Sequence, residues 1–278
     1  MADTDPILLR SVAERLATEA AEFVMRRRVE VFGGSSGAKD TASAVRAKST
    51  PTDPVTIVDT ETERLLRDRL AVLRPGERVL GEEEGGSPAD GAGQLTWVLD
   101  PIDGTVNFVY GIEAYAVSVA VQRDGASVAG AVANVPTGAL YSAAVGHGAR
   151  LQRAGAMIPL GCSGATDLSM SLVGTGFSYA PEQRMRQAAV LSTLLPAVRD
   201  VRRLGSCALD LCMVAAGHLD AYYEDGVHVW DWAAAALIAA EAGAMVHLPS
   251  GEGAGLVVAS APAIGDALIE SLRRAGAL

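Results

Sequence analysis

Between residues 6 and 31 the apolar positions Leu8, Val12, Leu16, Ala20, Phe23 and Val24 recur at spacings of three and four. That period predicts one amphipathic helix with a single apolar stripe. A Gly/Ser-rich stretch from Gly33 to Ser43 reads as a surface loop. A second helical pattern opens at Asp59, carries Leu66, Leu70 and Leu73 on one side, and stops at Arg74-Pro75-Gly76. Val79-Leu80-Gly81 reads as a short strand running into Glu82, and Trp97 to Leu99 as another. From Tyr115 to Ala149 the period falls to two, with Val117, Val119 and Val121 alternating with small or polar residues. Asp124-Gly125 and Pro136-Thr137-Gly138 supply the turns of an antiparallel meander.

Beyond about residue 150 strands and helices alternate. Leu172-Val173, Val201 to Leu204, Tyr222-Tyr223 and Leu256 to Ala259 read as strands. Glu182 to Leu195, Ser206 to Ala216, Trp230 to Ala242 and Ala261 to Ala275 read as helices. The fold class is therefore mixed: an α+β half over residues 1–150 and an α/β half over residues 151–278, fused into one unit.

Composition narrows the function. The formal net charge of -10 on 278 residues argues against a phosphate-backbone binder, which carries a basic face. Cys162, Cys207 and Cys212 show no paired framework, which suits a reducing cytosol. Glu14, Glu19 and Glu22 interrupt the first apolar pattern, so it does not read as a signal peptide. The longest apolar run, Trp232 to Ala240, is too short to span a bilayer. A soluble, cytoplasmic chain is expected.

Candidate chemistry concentrates in Trp97-Val-Leu-Asp-Pro-Ile-Asp-Gly-Thr-Val-Asn-Phe-Val-Tyr110. Pro101 biases Asp100 toward extended backbone, so Asp100 closes a strand and Asp103 begins the turn after it. Two hard anionic ligands at one strand end suit Mg²⁺. Gly104 permits close approach to the backbone, and free amides at a helix start suit a phosphate. Five acidic positions in all fall at strand ends or helix starts: Asp59, Glu82, Asp100, Asp103 and Asp231. Each has an ordinary alternative. Asp-Pro-x-Asp-Gly is a common turn, Asp59 and Asp231 are good helix caps, and Glu82 opens a run of three glutamates.

Together these segments resemble a known family. Trp97 to Phe108 is similar to the first signature of the inositol monophosphatase family, and Trp230-Asp-Trp-Ala-Ala-Ala-Ala-Leu-Ile-Ala-Ala-Glu-Ala-Gly243 to its second. Leu80-Gly-Glu-Glu83, Asp53-Pro-Val-Thr-Ile-Val-Asp59, Lys48-Ser-Thr-Pro51 and Asp220-Ala-Tyr-Tyr-Glu224 also fit, in the family's order. The resemblance implies a layered αβαβα sandwich of the inositol monophosphatase/fructose-bisphosphatase type. It further implies Mg²⁺-dependent, lithium-sensitive hydrolysis of small phosphate monoesters, with two or three ions per site, and a homodimer. Carried over residue by residue, Glu82, Asp100, the Ile102 carbonyl, Asp103 and Asp231 would be metal ligands, with Asp100 bridging two ions. Two neighbouring cations would neutralise the phosphate and activate a water. That water would lie near Glu82 and the Thr105 hydroxyl, with Asp59 behind Thr105 as proton acceptor, and the Gly104 and Thr105 amides would hold the phosphate.

Substrate choice falls to the second half on the same resemblance. Gly205, Ser206, Cys207 and Glu224 would face the sugar or cyclitol, beside Ile102, Asp103 and Asp231. Lys48 is a candidate lid residue, or a solvated loop lysine. Asp210, one helical turn after Ser206, reads as a salt-bridge partner of Arg202 or Arg203, or as an acid pointing to the pocket. Ala234 and Ala236 stand where the family often has glycine, and Trp232 is bulky, which puts pocket shape in question. Inositol-1-phosphate is the leading substrate. Histidinol phosphate, fructose 1,6-bisphosphate and 3′-phosphoadenosine nucleotides are the alternatives, the last wanting an aromatic shelf that the sequence does not make evident. A transcription- or ribosome-associated interaction protein is the reading from another class.

Overall fold

A computed structural model describes residues 4–33, 44–48, 54–87, 91–249 and 255–278. Most of the Gly/Ser-rich stretch, from 34 to 43, lies outside them. The first helix, α1 (Pro6–Phe32), starts at an Asp5 cap that accepts the Ile7 N–H, with Pro6 in the first turn. Its buried face is Leu9, Ala13, Leu16, Ala17, Ala20 and Val24. Leu8, expected inside, is 46% exposed. The alanines rotate the buried stripe, because small side chains allow the helix to lie close against a sheet.

Two short antiparallel strands, β1 (Val45–Ala47) and β2 (Pro54–Thr56), precede α2 (Ile57–Leu73). Helix α2 opens before Asp59. Thr56 is its cap, taking the Val58 and Asp59 amides, while the Asp59 carboxylate accepts the Thr56 N–H in return.

Next come β3 (Arg78–Gly81), β4 (Leu95–Asp103), α3 (Thr105–Tyr110), β5 (Ala116–Arg123), β6 (Ala126–Asn134), β7 (Ala139–Ala144), β8 (Ala149–Arg153) and β9 (Ala156–Pro159). The seven strands from β3 to β9 form one sheet in sequence order. It is antiparallel as expected, except that β3 runs parallel to β4. The β5–β6 hairpin turns on Asp124 (φ 52) and Gly125 (φ 79), the pair of positive φ angles that its tight turn requires.

The remaining elements are β10 (Leu172–Thr175), α4 (Pro181–Leu194), β11 (Asp200–Arg202), α5 (Cys207–Ala215), β12 (Ala221–Val227), α6 (Val229–Glu241), β13 (Met245–His247), β14 (Gly255–Ser260) and α7 (Gly265–Arg274). The second sheet has the order β11-β10-β12-β14-β13, with β10 parallel to both neighbours and β14 antiparallel to β12. The expected C-terminal helix begins at Gly265, after a single 3-10 turn over Pro262–Ile264.

Packing stacks these elements in five layers. Helices α1 and α2 cover one face of the first sheet, enclosing Trp97, Leu99, Phe108, Val117 and Val119. Helices α5 and α6 fill the space between the two sheets. Helices α4 and α7 cover the far face of the second sheet, around Val190, Leu194, Leu268 and Leu272. The result is an αβαβα sandwich. In the contact between α6 and the first sheet, a Cβ on Gly130 would stand 2.9 Å from the Ala234 Cα. Ala234 therefore fits against a glycine of β6, and neither it, Ala236 nor Trp232 lines the cleft described below. No helix among the described residues is long and apolar enough to cross a membrane.

Candidate active site

The two aspartates of β4 are three residues apart, which in a regular strand would place them on opposite faces. The β4–β5 register shows how they come together. Asp100 pairs with Ser118 and Asp103 with Ala116, so three steps on β4 oppose two on β5. This extra residue falls at Pro101-Ile102, where the proline has no amide to give to the ladder. The bulge turns both carboxylates to the same side. Gly104 then takes a left-handed conformation (φ 91), and a Cβ there would stand 2.9 Å from the Ala114 carbonyl. Helix α3 starts immediately afterwards, leaving the amides of its first turn without intrahelical acceptors.

Asp231 reaches the same point from the first turn of α6, where its carboxylate accepts the His228 N–H. One oxygen from each of Asp100, Asp103 and Asp231 lies within 4.8 Å of the others. Hydrogen-bond donors to the three are mostly backbone amides: Ile102 N–H to Asp100 at 3.0 Å, and Ala208 N–H to Asp103 at 2.7 Å. Asp103 also accepts the Ser206 hydroxyl. Such donors favour the ionised form, but burial and mutual repulsion outweigh them. Burial first, and then the neighbouring acids, push Asp100 and Asp231 well above the usual carboxylate range. Asp103 rises to about 7, its Ser206 and Ala208 donors only partly offsetting burial. A cluster of oxygen donors whose joint ionisation is opposed by burial and mutual repulsion fits a hard divalent ion.

Glu82 follows β3 and lines the same cleft. Lys48 donates to Glu82 at 2.7 Å and also to Glu83. Burial opposes the Lys48 charge, yet these two carboxylates hold its pKa above the ordinary value. Behind Thr105 lies Asp59, with no exposure. The Thr105 hydroxyl lies 3.1 Å from Asp59 Oδ1 and 2.9 Å from the Ile102 carbonyl, both acceptors. Burial lifts Asp59 to about 6 against the opposing Thr56 donors.

The cleft encloses about 390 Å³ and is lined by Lys48, Glu82, Asp100, Ile102, Asp103, Gly104, Thr105, Gly205, Cys207, Glu224 and Asp231. Every predicted site residue but two is therefore brought to one cavity. Asp59 stands behind Thr105 as expected. Ser206 differs: it caps α5, donates to Asp103, accepts the Leu209 N–H, and is 1% exposed, so it supports the wall from behind. Glu224 accepts the Tyr222 hydroxyl, and burial raises its carboxyl.

Several participants were not singled out from the sequence. Phe177 and Tyr179 follow β10 and line the cleft, and Trp230 joins them, stacked on His228 at 4.8 Å. An aromatic rim therefore exists where the sequence made none evident. Its signal was positional, since ligands of parallel strands gather beyond their carboxyl ends. Asn107 ties α3 to the second half by donating to the Ala114 and Leu204 carbonyls, both at 2.8 Å. Gly176 is a seat for Glu224: a Cβ there would lie 1.9 Å from the Glu224 carboxylate. Asp210 is not in an ion pair with Arg202, which bonds Asp200 instead, and neither Asp210 oxygen has a hydrogen-bond partner. Burial lifts Asp210 to about 9, with Glu224 and Asp103 adding and Arg203 only partly opposing.

Comparison with known proteins agrees with this geometry. Residues 7–277 match the model of the inositol monophosphatase family. The chain is 65% identical to the inositol-1-monophosphatase of Mycobacterium leprae, over 98% of this chain and 96% of that protein. It is also similar to the solved structure of Mycobacterium tuberculosis SuhB, with a TM-score of 0.85, 55% identity, and coverage of 99% and 100%. A Nus factor SuhB of Pasteurella multocida is 36% identical over 76% of this chain and 79% of its own.

Proposed function

Since the chain belongs to the inositol monophosphatase family and is a phosphatase of phosphoric monoesters that uses a divalent metal, we propose that it hydrolyses inositol-1-phosphate with two or three Mg²⁺ ions. The observation that carries this reading is the acid cluster. Three buried carboxylates within 4.8 Å share a cleft with Glu82 on one side and Glu224 on another. Asp100, Asp103, Asp231, Glu82 and the Ile102 carbonyl would hold the ions, with Asp100 between the others. Ions held there would supply neutralisation of the phosphate charge, a more acidic water and stabilisation of the departing oxygen.

The chain's own residues do the rest. The Gly104 and Thr105 amides hold the phosphate at the start of α3. Thr105 orients the attacking water and passes its proton to Asp59, whose carboxyl at about 6 suits a base at neutral pH. Lys48, held over the cleft by Glu82 and Glu83, is the cation that meets the phosphate. Glu224 accepts hydrogen bonds from ring hydroxyls, and a ligand lacking them leaves a buried carboxylate unpaired. Gly205 and Cys207 give the ring its edge contact, with Ser206 behind them. Lithium sensitivity and a homodimer belong to the same reading through family membership. So does a cytoplasmic location, which the three free thiols suit.

The test is phosphate release from inositol-1-phosphate, histidinol phosphate, fructose 1,6-bisphosphate and 3′-phosphoadenosine-5′-phosphate, with Mg²⁺, with EDTA, and with added Li⁺. The expected result is Mg²⁺-dependent, Li⁺-inhibited turnover that favours inositol-1-phosphate. Preference for another ester moves the substrate and keeps the chemistry. No metal-dependent turnover on any of them overturns the reading in favour of a binding role; the Pasteurella relative is named a Nus factor.

A further inference from the structure

Three consecutive glutamates, Glu82 to Glu84, form a turn between β3 and the rest of the sheet. Like charges this close repel, so something must hold the turn in shape. Lys48 holds two of the side chains, and Arg64 and Arg67 reach the third. The backbone of the turn is held by a different residue. Glu63, on α2, is fully buried, and its carboxylate accepts the Glu83 N–H at 2.7 Å and the Glu84 N–H at 3.0 Å. Arg67, one turn further along α2, pairs with the same carboxylate at 2.8 Å and also donates to the Gly85 carbonyl.

Strand β3 is shaped around this contact. A Cβ on Gly81 would fall 2.2 Å from Glu63 Oε1, so the residue before Glu82 is one that leaves room for the carboxylate. Glu63 also lies four residues after Asp59, on the same face of α2. One helix face therefore supports Thr105 at its first turn and the Glu82 turn at its second.

We propose that Glu63 is a positioning residue that fixes the Glu82–Glu84 turn in the geometry a divalent ion needs. The inference rests on the reading of Glu82 as a metal ligand. Changing a residue that orients ligands from behind typically costs on the order of 10- to 100-fold in metal affinity or activity. Glu63 does not line the cleft and bonds the backbone of the turn, so its effect is expected in ion binding and in the order of the turn.

Glu63→Gln tests this in the full-length chain. It keeps the shape but replaces one acceptor with an NH₂ group that faces amide donors. Titration calorimetry is expected to show the Mg²⁺ Kd rising on the order of 10- to 100-fold. Hydrogen exchange at the Glu83 and Glu84 amides should accelerate, and kcat at saturating Mg²⁺ should fall far less than affinity. Gly81→Ala presses a methyl group onto the same carboxylate and should reproduce the pattern, so one folded variant of the two suffices. A folded variant with lower Tm but unchanged Mg²⁺ affinity, beside a parent that binds normally, overturns the role of Glu63 alone. A parent that binds no Mg²⁺ overturns the metal reading of Glu82 and this inference with it.

Discussion

The two walls of the cleft hold their carboxylates in different ways. On the wall built from β4 and the start of α6, Asp100, Asp103 and Asp231 each receive a backbone N–H. On the wall built from β10, α5 and β12, among the described residues, Glu224 receives only the Tyr222 hydroxyl, and Asp210 receives nothing. There the room is made by glycines: Gly176 beneath Glu224 and Gly174 beside Asp210. A carboxylate fed by amides is prepared to carry charge once a cation arrives. A carboxylate seated on glycines is shaped to a ligand, or kept neutral. The first wall suits metal chemistry, and the second suits choice among leaving alcohols.

The sharpest break between the walls is expected at the metal side. Asp103→Asn or Asp231→Asn should lower kcat on the order of 10³-fold or more, because each removes charge from the site where phosphate is neutralised. Tm without metal should hold or rise, since a repelling acid is gone from a buried cluster. Near-parental turnover in either folded variant would remove that residue from the metal site.

On the opposite wall the effect should be smaller and should fall on KM. Glu224→Gln should lower kcat/KM for inositol-1-phosphate on the order of 10- to 100-fold, the usual loss for a hydrogen bond to a charged group. Gly176→Ala should act in the same direction by pushing the Glu224 carboxylate out of its seat. If glycerol phosphate, which has no ring, suffered equally, the wall would not be reading ring hydroxyls.

How far each wall can be read from the sequence follows from the same difference. Asp100-Pro-Ile-Asp-Gly is a local device, in which a proline and a left-handed glycine set the geometry within five residues. It was legible for that reason. The Asp103–Ser206 bond joins residues 103 apart in the chain, and the Gly176 seat depends on β10 lying parallel to β12. Nothing local announces either contact. Asp210 was misread toward its sequence neighbours Arg202 and Arg203, although helix α5 carries it inward, and only packing could reveal that. The α1 stripe was likewise rotated by alanines whose burial depends on the sheet they meet.

Without metal, the first wall should respond to pH with a definite sign. Asp103 titrates near 7 in the folded chain, and Asp59 near 6, both above their unfolded value of 3.8. Stability from their protonated forms is therefore complete below about pH 4 and is lost as pH rises toward 7. Mg²⁺ held by the ionised Asp103 would remove its share of that loss. The rise in Tm on adding Mg²⁺ should accordingly be small at pH 5.5 and reach several degrees by pH 8. A rise independent of pH would mean that Asp103 does not meet the ion.

The smallest expected effect separates the walls most cleanly. Asp210 is buried without a hydrogen-bond donor, and its carboxyl is lifted to about 9. Between its unfolded value of 3.8 and that folded value, the native state holds a proton that the unfolded chain releases, so stability falls with rising pH throughout the window. Asparagine is also polar and also unpartnered in that place, so Asp210→Asn removes only the ionisation and not the burial of a polar group. The variant should match the parent or fall slightly below it at pH 5. It should overtake the parent as pH rises to 8, with the gap levelling off above about pH 9. Melting curves from pH 5 to 9 decide the matter, and parallel curves would mean that Asp210 is ionised and paired after all. A crossing would show that this wall keeps one of its two acids neutral, so that Glu224 alone offers a charge to the substrate.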